Sequence, residues 1–231
     1  IGFMYASLIF TYHYISGAHF NPAMTLGIWL SRDGPKNLVW HKALLFWIFH
    51  LLGSTAAAFY CLMVHGADFA VPTTPDTFYP GIFRVLITEA VFTFMLVSVM
   101  LHVAHSKQKE NSFHGFAVGM MAMSAMLANG GAGVLNPAIA TALIVVKCFT
   151  GTCLPVLHLW VFWAGELVGC IFAAIFYNVA SATLEEQENS ERQQLEQQAQ
   201  QNAADQFNSN PDFNNATTTN NNDNTNNQEQ Q

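Results

Sequence analysis

Long apolar runs separated by short polar loops occupy the first 180 residues of the chain. Four of these runs approach or exceed the roughly 20 residues that cross a bilayer as a helix. They cover residues 40–64, 82–104, 113–129 and 155–180, while residues 1–15 are also apolar but shorter than a full span. The pattern predicts an all-α membrane protein with several complete transmembrane helices and one partial helix.

Two further apolar runs, residues 24–30 and 139–146, are long enough for only half a bilayer, because about ten helical residues rise roughly 15 Å. Each run follows the same triplet, Asn21-Pro22-Ala23 or Asn136-Pro137-Ala138. Asparagine is a favoured N-cap and proline suits the first helical position, so each triplet predicts a helix start. One triplet alone would indicate an ordinary helix, but two triplets before half-spans predict helices that enter the membrane and stop midway.

The order of spans around the triplets predicts an inverted repeat. Three complete spans separate the half-helices, and an odd number of crossings places them on opposite faces with their N-termini meeting at the midplane. Two spans precede the second triplet, whereas only the partial span precedes the first. We therefore expect the chain to lack one helix of the first half, before Ile1.

The basic residues predict the orientation of the chain. Arg32, Lys36, Lys42, Lys107 and Lys109 flank one side of the spans, and Arg84 and Lys147 flank the other. Since positive charge favours the cytoplasmic side, the first side is predicted to be cytoplasmic. The C-terminal tail then lies in the cytoplasm as well; the pattern does not indicate which cellular membrane holds the protein.

The tail, residues 181–231, differs sharply in composition from the rest of the chain. It holds nine of the fifteen acidic residues, and 23 of its 51 residues are Asn or Gln. Such composition is typical of disorder, although a regulatory or partner-binding role is an alternative. We predict a membrane domain over residues 1–180 and a disordered tail over residues 181–231. The nearly neutral body gives no indication of a nucleic-acid partner.

The two triplets predict a pore rather than a catalytic centre. Asn21 and Asn136 would cap their helices and still offer amide N–H groups, while each helix dipole directs its positive end at the midplane. Such a site passes neutral solutes with an acceptor oxygen and opposes cations and relayed protons. We find no nucleophile–base pair and no metal-ligand cluster in the sequence, and therefore predict no enzyme activity, no cofactor and no metal.

These motifs resemble those of the aquaporin, or major intrinsic protein, family. Residues 16–27 (Ser-Gly-Ala-His-Phe-Asn-Pro-Ala-Met-Thr-Leu-Gly) are similar to the family's first signature, and the second triplet matches. Glu89 resembles the family's buried glutamate that holds a re-entrant loop, and residues 158–165 resemble its last helix. The resemblance covers residues 1–180 and implies an aquaporin-like inverted repeat, a homotetramer in the lipid bilayer, and one pore per subunit for water or small neutral solutes.

The departures from the family pattern concern the selectivity filter. The family's usual arginine after the second triplet is replaced by Ile139, and the other filter positions align with Ile1, Gly133, and Met126 or Ser124. A filter of Ile1, Met126, Gly133 and Ile139 would be apolar and wide. Water, glycerol, urea, ammonia and hydrogen peroxide all stay open as solutes. In the last helix, Glu166 replaces a common proline.

Two other functions stay open from the sequence alone. Broken helices in inverted repeats also build secondary transporters, although no midplane carboxylate is obviously placed to couple an ion. The long tail would also suit a structural or junctional membrane protein with a closed pore. Within the channel interpretation, His105 and His114 flank the predicted cytoplasmic loop, where protonation could gate the pore.

Overall fold

The computed structural model describes residues 1–35, 38–74, 78–107, 111–128, 133–151 and 154–209. Within these ranges the regular elements are helical, which confirms the predicted all-α class. The α-helices are α1 (Gly2–Ser16), α2 (Pro22–Leu30), α3 (Trp40–His65), α4 (Phe83–Met100), α5 (His114–Ala128), α6 (Pro137–Cys148) and α7 (Leu159–Ser209). Short helical turns at Gly66–Asp68, Phe78–Ile82, Leu101–His105 and Leu154–His158 accompany them. Lys36, Lys109 and tail residues 210–231, used in the predictions above, lie outside the described residues.

In the part of the chain that the structure describes, three helical stretches are long and apolar enough to cross a membrane: Trp40–Asp68, Pro80–His105 and Val156–Gln206. The segment predicted as a span over residues 113–129 is a shorter apolar helix of 15 residues, α5. The two half-helices have the predicted short lengths, with nine residues in α2 and 12 in α6.

The chain divides into two compact units, residues 1–181 and 182–231. In the second unit, residues 182–209 are helical, so the predicted disorder of residues 181–231 stays a prediction. The physical reason for the helix is that Glu, Gln, Ala and Leu are strong helix formers, so a segment can be polar and still helical. Glu188, Arg192 and Glu196 are also spaced four residues apart, which supports a solvated helix through opposite charges.

Small residues bring α1 and α5 into close contact in the first unit. A Cβ atom added to Gly119 would lie 2.6 Å from the Cβ of Ala6, and one added to Gly2 would lie 2.5 Å from the Cβ of Met123. Neither position therefore has room for a side chain. Close backbone approach through small residues is the usual way in which membrane helices associate.

Each half-helix is enclosed by longer helices. On α2, Met24 and Ile28 are buried in the main core, and a Cβ atom on Gly27 would lie 2.4 Å from Val97 of α4. On α6, one face packs against α3 through Ala142 and Val146, and another packs against α7 through Ala140 and Ile144. Those contacts involve Ala58 of α3 and Phe162 of α7.

The loop after α2 is fastened to α7. Asn178 accepts a hydrogen bond from the Arg32 backbone N–H at 2.7 Å and donates one to the Leu30 carbonyl at 3.0 Å. Tyr177 donates its hydroxyl to Asp33 at 2.8 Å. The C-terminal end of the first half-helix is therefore held to α7 by three hydrogen bonds.

Candidate functional site

The two asparagines cap the two half-helices. The Asn21 side-chain oxygen accepts the backbone N–H groups of Ala23 at 2.8 Å and Met24 at 3.5 Å. The Asn136 side-chain oxygen accepts the N–H of Ala138 at 3.1 Å. Both asparagines have an extended backbone and precede a proline at the start of the helix. This is the local geometry that an Asn-Pro sequence favours.

The two caps also contact each other's loops. Asn21 donates its side-chain N–H to the Leu135 carbonyl at 2.6 Å, and Asn136 donates to the Phe20 carbonyl at 2.9 Å. An amide side chain carries two N–H donors, so one donor on each asparagine is used in this exchange. The second donor has no acceptor among the described residues. The arrangement therefore brings together two helix N-termini and two amide donors that no described residue accepts.

The residues directly before the asparagines have an unusual backbone. Phe20 has φ of 51° and Leu135 has φ of 56°, which is the left-handed region that bulky residues rarely adopt. Both carbonyls then accept the opposite asparagine. Sequence reasoning missed this conformation, because neither Phe nor Leu favours it. Such strained backbone persists where the surrounding structure fixes it, which is common at functional sites.

Glu89 on α4 holds the loop before the second asparagine. Its side chain is 1% exposed, and its two carboxylate oxygens accept the backbone N–H groups of Val134 at 3.0 Å and Leu135 at 2.9 Å. Hydrogen bonds to an ionised acceptor are stronger than neutral ones. Glu89 thus supports Asn136 through the two residues that precede it.

The buried side chain of His19 stabilises the loop that precedes α2. It is 3% exposed, and its Nδ1 lies 3.1 Å from the Thr25 hydroxyl. Thr25 in turn donates to the Asn21 carbonyl at 3.1 Å. The chain of contacts ties His19 to the first turn of α2, and Tyr5 of α1 adds a bond to the His19 carbonyl at 3.4 Å.

Ile139 lies in the first turn of α6 and is 38% exposed. It lines a cavity of about 420 Å³ together with Phe20 and residues of α3 that include His50 and Gly53. The cavity is mostly apolar in its lining, and Phe20 connects it to the reciprocal asparagine contacts.

The other predicted filter residues do not line this cavity. Ile1 precedes α1 and is 85% exposed, Met126 is half-buried near the end of α5, and Gly133 is buried before Val134. Ser124, the alternative to Met126, is exposed on α5. The structure therefore places Ile139 in the same cavity as Phe20 but does not gather all four residues around one described cavity.

Comparison with known proteins identifies the family. The model of the major intrinsic protein family matches residues 1–177. Aquaporin TIP1-1 of Arabidopsis thaliana is 33% identical over 171 residues, which cover 71% of this chain and 63% of that protein. Aquaporin AqpM of Methanothermobacter marburgensis is 29% identical over 190 residues, which cover 76% of this chain and 72% of that protein.

A third relative, the probable aquaporin NIP-type of Nicotiana alata, is 28% identical over 190 residues, covering 79% of this chain and 64% of that protein. The chain thus spans slightly less than two thirds of the length of the two plant relatives. Since the family match covers most of the chain and the helices are long and apolar enough to span a bilayer, this integral membrane protein belongs to the major intrinsic protein family.

Proposed function

We propose that the protein is a passive transmembrane channel for water or small neutral solutes. The reciprocal bonds between Asn21, Asn136 and the opposite carbonyls carry this proposal. They bring together the N-termini of two half-helices, each with about half a positive charge. A pore that passes this point meets hydrogen-bond donors and a positive field where it is most desolvated.

The proposed conduction needs no chemical step. A neutral solute with an acceptor oxygen replaces some of its lost hydration with the unused N–H donors of Asn21 and Asn136. A cation meets the same donors and the same positive helix ends as a barrier. Solutes leave unchanged, so no nucleophile, cofactor or metal takes part, and the protein is not an enzyme.

We further propose a permissive filter in which Ile139 sets the width. Ile139 offers an apolar, partly exposed side chain beside a cavity of about 420 Å³. In the proposed filter, Ile1, Met126 and Gly133 provide the other walls. None of the four residues is charged, so glycerol, urea, ammonia or hydrogen peroxide would pass as well as water.

The proposed setting is a homotetramer with the C-terminal tail in the cytoplasm. On α3, Phe49 is 67% exposed, Leu52 is 60% exposed and Met63 is 75% exposed. Lipid or neighbouring subunits would cover such apolar side chains. The positions of Arg32, Lys42 and Lys107 favour this orientation under the positive-inside rule.

Stopped-flow light scattering on proteoliposomes tests the proposal. We would compare water, glycerol and urea in the wild type, in Ile139→Arg, and in Ile139→Leu as the matched apolar control. Solute flux in the wild type and in Ile139→Leu, abolished by Ile139→Arg while water flux is kept, is the expected result. Water flux alone in the wild type would contradict the permissive filter. Saturating flux would indicate a transporter, and absence of all flux would indicate a structural role.

A further inference from the structure

Glu166 on α7 is a buried acid to which no role has been given above. Its side chain is 0% exposed, and neither carboxyl oxygen has a hydrogen-bond partner among the described residues. An acid inside a membrane segment is costly, and a buried polar group normally finds a partner. The position therefore calls for a physical explanation.

The neighbours of Glu166 place it behind the second asparagine. Phe162, one turn earlier on α7, packs with Val134 and Ala140, which lie on either side of Asn136 in sequence. Trp163 donates its ring N–H to the Thr141 hydroxyl of α6 at 2.8 Å. This face of α7 therefore lies against the beginning of α6.

The loop at this point presents three consecutive backbone N–H groups. Those of Val134 and Leu135 are bound by Glu89, and the third, on Asn136, faces the Glu166 carboxyl without reaching hydrogen-bond geometry. The left-handed backbone of Leu135 helps to form such a nest, which is a site for anions and acceptor oxygens. The carboxyl groups of Glu89 and Glu166 therefore both lie near this one nest.

The two acids are close enough to interact. A Cβ atom on Gly165, the residue before Glu166, would lie 2.9 Å from the Cβ of Glu89, so α4 and α7 are in backbone contact here. Among the described residues, Glu89 and the Cys170 thiol are the titratable neighbours of Glu166. No basic residue in the described part of the chain is recorded against the pair. Two ionised carboxylates without a cation are strongly disfavoured in such surroundings.

We propose that Glu166 is held as a neutral, protonated acid whose carbonyl oxygen receives the Asn136 N–H, which makes Glu166 a second positioning residue for Asn136. Glu89, with its two hydrogen bonds from N–H groups, carries the single negative charge of the pair. The inference rests on the proposed function only in assigning Asn136 to the conduction path. A neutral Glu166 accepts the third N–H group of the nest. Because it adds no negative charge, it leaves the positive field at the N-terminus of α6 unchanged.

Three variants test the positioning role. Glu166→Gln keeps a neutral acceptor of the same shape, Glu166→Leu removes the acceptor, and Val168→Leu, at a side chain that is 45% exposed on the same helix, is the matched control. We expect Glu166→Gln and Val168→Leu to conduct like the wild type. Glu166→Leu should lose about tenfold in flux, because the Asn136 N–H is left without an acceptor. Equal flux in Glu166→Leu and the wild type, or equal loss in Glu166→Gln and Glu166→Leu, would overturn the proposal.

Two measurements do not depend on flux and separate this proposal from the channel function. Infrared spectroscopy should show the C=O band of a protonated carboxyl in the wild type that disappears in Glu166→Gln. Amide hydrogen exchange over residues 133–138 should be faster in Glu166→Leu than in Glu166→Gln. If the wild type conducts nothing, the proposed function fails, while these two results still decide the role of Glu166. An unchanged carboxyl band, or equal exchange in both variants, would contradict it.

Discussion

Asn21 and Asn136 are linked by a reciprocal exchange in which each side-chain amide donates to the carbonyl of the residue before the other. The two distances are 2.6 Å to the Leu135 carbonyl and 2.9 Å to the Phe20 carbonyl. Because each asparagine also caps its own half-helix, the loop before α2 and the loop before α6 hold each other in place. A change in either loop should therefore disturb both halves of the protein.

The capping and cross-linking roles of Asn136 can be separated by substitution. Asn136→Ser keeps a good N-cap but removes the amide that donates to the partly buried Phe20 carbonyl, at a cost of about 0.5–1.5 kcal/mol. Asn136→Ala loses the cap as well, which adds about 1 kcal/mol. Thermal unfolding of the purified protein should therefore rank the wild type above Asn136→Ser and Asn136→Ser above Asn136→Ala. Equal melting temperatures for the two variants would show that the cap contributes nothing.

The Glu89 carboxylate should be essential for the second loop. Glu89→Gln keeps the shape but offers one acceptor oxygen to the two N–H groups of Val134 and Leu135. The loss of a charge-assisted bond should destabilise the protein by about 1.5–3 kcal/mol. Thermal unfolding measures this effect, with Thr88→Ala on the preceding residue as the control. A Glu89→Gln protein as stable as the control would contradict the assigned role.

The contact between α1 and α5 predicts that an alanine at Gly119 lowers the stability of the protein, whereas an alanine at Gly53, which lies outside this contact, does not. Gly119→Ala places a Cβ atom within 2.6 Å of Ala6, and such overpacking costs about 1–3 kcal/mol. Gly53→Ala on α3 is the matched control, because nothing lies within 4 Å of its added Cβ. Since Ala favours helix over Gly by up to about 1 kcal/mol, Gly53→Ala should be neutral or stabilising. Melting temperatures that fall equally in both variants would argue against the close packing.

The local sequence could predict the half-helices but not the loops that precede them. Asn-Pro fixes a helix start through capping and through the missing proline N–H, and the apolar run after it limits the helix length. The left-handed backbone of Phe20 and Leu135 depends instead on tertiary contacts with the opposite asparagine. No propensity of those two residues indicates it.

The composition of the tail is compatible with two outcomes, since the same Gln, Glu and Ala residues that suggest disorder also favour helix. The structure makes residues 182–209 helical for that reason. The proposed filter is difficult to predict because its four positions come from separate segments of the chain. Sequence alone could not fix how these segments align in space, and Ile139 is the one of the four that lines the described cavity with Phe20.

In the proposed channel, the pair formed by Asn21 and Asn136 admits neutral solutes and opposes ions. The most direct test is to measure solute flux and ionic current in the same reconstituted bilayers, for the wild type and for Asn136→Ser. We predict wild-type water or neutral-solute flux that rises in proportion to the gradient, without cation or proton current, and a reduced flux in Asn136→Ser. A cation or proton current through the wild type, or a flux that saturates with solute concentration, would contradict this account.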